Sequence, residues 1–148
     1  MSTNTAAEQD NAEQNKKLVR RFYDEVENQG KLELVDELFS ADFQDVYNTA
    51  SAFPVRGIEG VKKLATALHN NLDLKIEVEG LVAEGDTVVA RITSITTHKI
   101  PIMGVPPTGR VYFSRGVEIF RVVNGKLAER WVYIDRIPML RDLGIVPK

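Results

Sequence analysis

The chain of 148 residues is long enough to bury a real core as one domain. Nineteen basic against twenty-one acidic residues, a formal net charge of −2, leave no bulk field to draw nucleic acid or an anionic membrane surface. The absence of cysteine removes disulfide and thiolate chemistry and fits a reducing, cytoplasmic setting.

Residues 1–14 are small and polar and read as a disordered tail ahead of one domain spanning 15–148. The tail has neither the basic nor the apolar region of a secretory signal. No apolar run approaches the ~18–20 residues needed to cross a bilayer. After the tail, Leu18, Phe22 and Val26, with Val19 and Tyr23 beside them, form a helical stripe ending at Gly30. "KLELVDELFS" predicts a shorter amphipathic helix through Leu34, Val35, Leu38 and Phe39. "GIEGVKKLATALHN" predicts a third, with Ile58, Val61, Leu64, Ala65 and Leu68 on one side.

The period then changes. Leu74, Ile76 and Val78 alternate with charges, and "EGD" at 84–86 marks a turn. "TVVARITSITTHKI" is a long β-branched strand, followed by the proline-rich loop "PIMGVPPTGR". "VYFSRGVEIFRVV" and "KLAERWVYID" flank Asn124-Gly125, a type I′ hairpin signal, and so pair antiparallel. Helices first and a strand meander afterwards predict an α+β fold: a cone-shaped, curved antiparallel sheet covered by three N-terminal helices. Such a cone leaves a concavity suited to a small molecule.

No P-loop, GxGxxG, GxSxG or HExxH is present, and the two histidines, His69 and His98, lie far apart in sequence. The spacing suggests no metal site and no cofactor loop, which leaves acid–base chemistry by side chains alone. Asp135 is the first candidate. It ends an apolar strand, and burial against Trp131 would raise its pKa toward a useful range. Equally, it caps a strand end or pairs with Arg136 or Arg115. Glu129, Trp131, Tyr133 and Asp135 alternate onto one strand face. The two aromatics there would stack on a flat ligand or fill the core, while Glu129, near the hairpin, is left out of the site. His98, at the end of its strand, would relay a proton or donate to an enolate, or simply be held by hydrogen bonds. His69 sits at a helix C-terminus, where the dipole favours a cation and no function is needed. Arg91 and Arg115 interrupt β-branched strands, and an inward arginine would polarise a carbonyl. Alternation does not choose their face.

The segments "LVRRFYDEVENQGKLELVDELF", "GIEGVKKL", "LVAEGDTVVARIT", "THKIPIMGVPPTGR", "GVEIFRVVNGKLAERW" and "DRIPMLRDLGIVP" together resemble the SnoaL-like polyketide cyclases of the NTF2-like/ketosteroid isomerase superfamily. The "GVPPTGR" loop and the Trp131-x3-Asp135 ending carry the resemblance most specifically. It implies a cone-shaped α+β barrel with an internal pocket, a homodimer and no metal or cofactor. It also implies an intramolecular aldol condensation of a small hydrophobic carbonyl compound, with the aspartate matching Asp135 as acid and base. In many relatives a histidine stands near Val46; here Tyr47 and Asn48 would supply the polar groups. Isomerisation, epoxide or ester hydrolysis in the same pocket, and a non-catalytic binding module are the alternatives. The apolar C-terminal stretch, from Ile137 to Ile145, packs over the pocket mouth or into a dimer interface.

Overall fold

The computed structural model describes residues 5–49 and 51–148. The first helix, α1 (Ala6–Arg21), starts well inside the segment expected to be disordered. Thr5 caps it: its hydroxyl accepts from the Glu8 amide at 3.2 Å while the Glu8 carboxylate accepts from the Thr5 amide at 2.6 Å. The helix then widens into a π-turn over Phe22–Glu27, a rare geometry often found at functional sites. A short 3₁₀ turn (Leu32–Leu34) leads into α2 (Val35–Leu38), which ends where Phe39 turns extended.

From Phe39 to Asn48 the chain forms β1, a strand the polar "SADFQD" run concealed. Then come α3 (Gly57–Leu72), β2 (Lys75–Glu84), β3 (Thr87–Thr97), β4 (Val111–Val123), β5 (Lys126–Ile134) and α4 (Ile137–Asp142). The sheet order is β1-β5-β4-β3-β2. The meander β2 to β5 is antiparallel as expected, but β1 joins β5 in parallel, so the sheet is mixed. Register shifts in β1, after Val78 and after Arg121 mark bulges, which bend strands and help an open sheet to curve. The Asn124-Gly125 turn has φ values of 51° and 74°, as a type I′ hairpin requires.

Inner-face residues fall in rows across β3, β4 and β5. The first row is Val88, Phe120 and Arg130; the second is Ala90, Glu118 and Val132; the third is Ile92, Gly116 and Ile134. Ser94 with Ser114, then Thr96 with Tyr112, follow toward the open end. At the narrow end Phe22, Tyr23, Phe39, Phe43 and Phe120 form a fully buried aromatic cluster, with edge-on ring pairs 4.8–6.0 Å apart. Below α3 and toward the open end the packing gives way to a cavity.

Candidate functional site: a cavity with a charged floor

The cavity has a volume of about 280 Å³, close to the lower end of the roughly 300–1,000 Å³ usual for small-molecule sites. Its walls are apolar. Leu64, Leu68 and Leu72 project from α3 at helical spacing, and Ile76, Ile92, Val132 and Ile134 face them from the sheet. Ser94, Thr96 and Ser114 add hydroxyls partway along, and Met139 of α4 closes over the side.

The floor is ionic. Glu27 reaches it from the π-turn, Glu118 from β4 and Arg130 from β5, and all three are buried. Asp45 of β1 holds Arg130 through two bonds, Nε to Oδ1 at 2.6 Å and Nη2 to Oδ2 at 2.7 Å. The third guanidinium nitrogen, Nη1, donates to Glu118 at 3.3 Å. Burial opposes the charge on Arg130, but Asp45, Glu118 and Glu27 outweigh it and keep the group protonated. Burial likewise pushes the Glu118 carboxyl up, against the pull of Arg130. Glu27 is pushed up to about 7, chiefly by burial, with Glu118 and Asp45 adding repulsion and Arg130 opposing. Among the described residues no hydrogen-bond donor reaches the Glu27 carboxylate. The phenol of Tyr23 is turned toward Glu118 without closing a bond of ordinary length. A carboxyl group titrating near neutrality inside an apolar cavity can both take and return a proton.

His98 stands at the other end, where β3 gives way to the proline-rich loop. Its amide donates to the Arg110 carbonyl at 2.9 Å, and its carbonyl accepts from the Gly109 amide at 3.0 Å, so the loop is pinned at its base. The Arg110 amide donates to Thr108 Oγ1, the Thr108 hydroxyl lies 2.9 Å from His98 Nδ1, and the Thr108 amide also donates to Nδ1 at 3.3 Å. A backbone N–H can only donate, so Nδ1 is the acceptor and the neutral ring carries its proton on Nε2. Nε2 is buried at the cavity wall and has no partner among the described residues. His98, just past the end of β3, lies eight positions after Ala90, which pairs with Glu118. At ~3.3 Å per residue the two polar groups cannot meet on one atom. They stand at opposite ends of the cavity.

Of the residues expected from sequence, His98 and Asn48 line this cavity. The alternation of β5 runs opposite to expectation: Arg130, Val132 and Ile134 point inward, and Trp131 and Tyr133 lie on the outer face. Tyr133 is 47% exposed and stacks on Tyr47, itself 51% exposed, with ring centroids 5.0 Å apart. Arg91 and Arg115 are exposed on that outer face as well. Asp135 is exposed, outside the cavity lining; its amide donates to the Arg115 carbonyl at 2.9 Å and its Oδ1 accepts from the Ile137 amide at 3.1 Å. Its side chain therefore closes a local turn onto the first residue of α4. Asn48 donates to Asp45 at 2.7 Å. Glu27, Glu118, Arg130 and Arg136 were missed. Each is a charge set in an otherwise inward-facing pattern: Glu27 after Val19 and Tyr23 at helical spacing, Glu118 between Gly116 and Phe120, Arg130 between Ala128 and Val132, and Arg136 two positions after Ile134.

A helix-backed open sheet wrapped round an apolar cavity, with titratable groups at its floor, defines a small-molecule pocket of the α+β half-barrel class. The chain belongs to the SnoaL-like polyketide cyclase family, whose model matches residues 17–143. It is 26% identical over 129 residues to the aklanonic acid methyl ester cyclase DnrD of Streptomyces peucetius, covering 86% of this chain and 88% of that protein. Among solved structures it is similar to IdmH of Streptomyces antibioticus, a candidate polyketide cyclase, at 32% identity and a TM-score of 0.76 over 88% of this chain and 99% of that one. It is also similar to AclR of Streptomyces galilaeus, a candidate hydroxylase, at 32% identity and a TM-score of 0.74 over 93% and 85% of the two chains. No helix among the described residues is long and apolar enough to cross a membrane.

Proposed function

We propose that the protein is a cofactor-independent acid–base enzyme that closes a ring in a compact, hydrophobic carbonyl compound by intramolecular aldol addition. The observation that carries this reading is Glu27, a buried carboxyl titrating near neutrality in an otherwise apolar cavity. In this reading the Glu27 carboxylate takes a proton from the carbon alpha to one carbonyl. The resulting enolate carbon attacks a second carbonyl of the same molecule, forming one C–C bond. Glu27 then gives that proton to the new alkoxide and is regenerated as the base. The apolar walls keep out water that would quench the enolate. His98 Nε2–H holds a polar group at the far end of the substrate. Membership of a cyclase family and similarity to a named cyclase support the choice of ring closure over isomerisation by the same first step.

The same reading includes a homodimer in the cytoplasm. Tyr47, Tyr133, Phe113 and Val111 expose a broad apolar area on the outer sheet face, which a second copy would cover.

The test needs no knowledge of the natural substrate. Wild type is incubated in D₂O with a panel of activated ketones and aromatic 1,3-dicarbonyl compounds, and exchange of the alpha proton is followed by NMR. Exchange by wild type that falls at least a hundredfold in Glu27→Gln and persists in Asp135→Asn is expected. Loss in Asp135→Asn with retention in Glu27→Gln would return the base to the aspartate that the family resemblance implies.

A further inference from the structure

Arg136 continues the inward register of Arg130, Val132 and Ile134 one step past the end of β5. Its backbone lies level with Ser114, since Ile134 pairs with Gly116 and the Asp135 amide bonds the Arg115 carbonyl. The side chain is half-buried and lines the cavity near its mouth. It has no ion pair or hydrogen bond among the described residues. The acids of this region are engaged elsewhere or remote. Asp142 is held by Arg110 at 2.7 Å and by the Tyr112 hydroxyl at 2.6 Å. Asp135 is held in a local turn by the Ile137 amide. Glu118 and Glu27 sit at the floor around Arg130. Desolvation lowers the Arg136 pKa, and no carboxylate opposes it.

An unpaired guanidinium withdrawn from water is costly to keep, and a planar anion that meets its fork of N–H groups removes that cost. The unpartnered Nε2–H of His98 stands at the same end of the cavity, just beyond Tyr112. Both groups donate; neither accepts. We propose that Arg136, with His98 as second donor, binds a carboxylate on the substrate, so that this chain takes a free acid in preference to its ester. The inference rests on the proposed carbonyl chemistry for its meaning but on Arg136, which that chemistry does not use, for its evidence. The reacting carbon is handled at the Glu27 floor, and the acid group is held at the mouth.

The two ideas separate experimentally. Binding of 2-naphthoate and of methyl 2-naphthoate to the full chain is measured by calorimetry at low salt, with wild type, Arg136→Gln and Arg136→Lys. Wild type is expected to prefer the carboxylate at least tenfold, and raising the salt should shrink that preference. Arg136→Gln should abolish it while leaving the ester's affinity within twofold, which also shows the variant folded. Arg136→Lys should restore part of it, because the charge returns without the fork. Equal affinity for acid and ester in wild type, no binding of the acid at millimolar concentration, or an undiminished preference in Arg136→Gln each overturns the proposal. Failure of alpha-proton exchange with the preference intact would refute the aldol reading alone. Exchange without the preference would refute this inference alone.

Discussion

Replacing Glu27 by Gln separates a structural carboxyl from one kept at a cost. In the folded protein the group titrates near 7 in place of 4.5, because burial and the neighbouring Glu118 and Asp45 outweigh the attraction of Arg130. At about 1.4 kcal/mol per pH unit, that shift corresponds to about 3 kcal/mol. The sign follows from where the proton sits. Between about pH 4.5 and 7 the folded state holds a proton that the unfolded chain has released, so stability contributed by this group falls as pH rises and levels off above 7. Glutamine keeps the shape and cannot ionise. Urea unfolding of wild type and Glu27→Gln at pH 5 and pH 8 therefore checks the reasoning directly. The variant should gain on wild type by about 3 kcal/mol between the two pH values, a midpoint shift of about 1–3 M urea for a protein of this size. The exchange reaction proposed above should show the same group as a rising limb centred near pH 7. A stability difference between the two proteins that stays constant from pH 5 to pH 8 would mean that Glu27 titrates as an ordinary surface acid, and its role as base would fall with it.

Asp45→Asn leaves Arg130 buried with one long bond to Glu118 in place of a bidentate partner; a loss of about 3–5 kcal/mol is expected in chemical or thermal unfolding. Asp135→Ala removes only the bond to the Ile137 amide, so about 0.5–1.5 kcal/mol of stability should go, with the exchange rate unchanged; a tenfold drop in rate at full folding would place Asp135 in the site. Phe113→Asp puts a charge on an aromatic position 66% exposed on the outer sheet face. Light scattering on the purified protein should then read a monomer where wild type reads a dimer, and an unchanged mass would exclude this face as the dimer contact.

The helices and the meander were legible because their apolar periods are set by burial on one side, as in Val61, Leu64 and Ala65 of α3. β1 was not, because it is an edge strand paired on one side only and its side chains alternate poorly: Phe39 and Phe43 are buried, four residues apart, with Asp42 and Gln44 exposed between and beside them. The site was obscured by a face assignment. Trp131 and Tyr133 drew attention to the odd-numbered face of β5, since aromatics in a strand suggest a core or a ligand. Past Lys126 at its start, the even-numbered face carries a single charge, Arg130, among aliphatics, and a lone arginine there looks like an interruption. A strand's two faces differ by a single residue of register, so assigning the aromatics inward moved every candidate on β5 to the wrong side at once. The reliable clue was the cost of exception. A charge placed where burial is dictated by its neighbours must be matched from elsewhere, and Glu118 and Arg130, set in the inward patterns of adjacent strands, match each other. The arginine with no such match, Arg136, is the one whose partner must come from outside the chain.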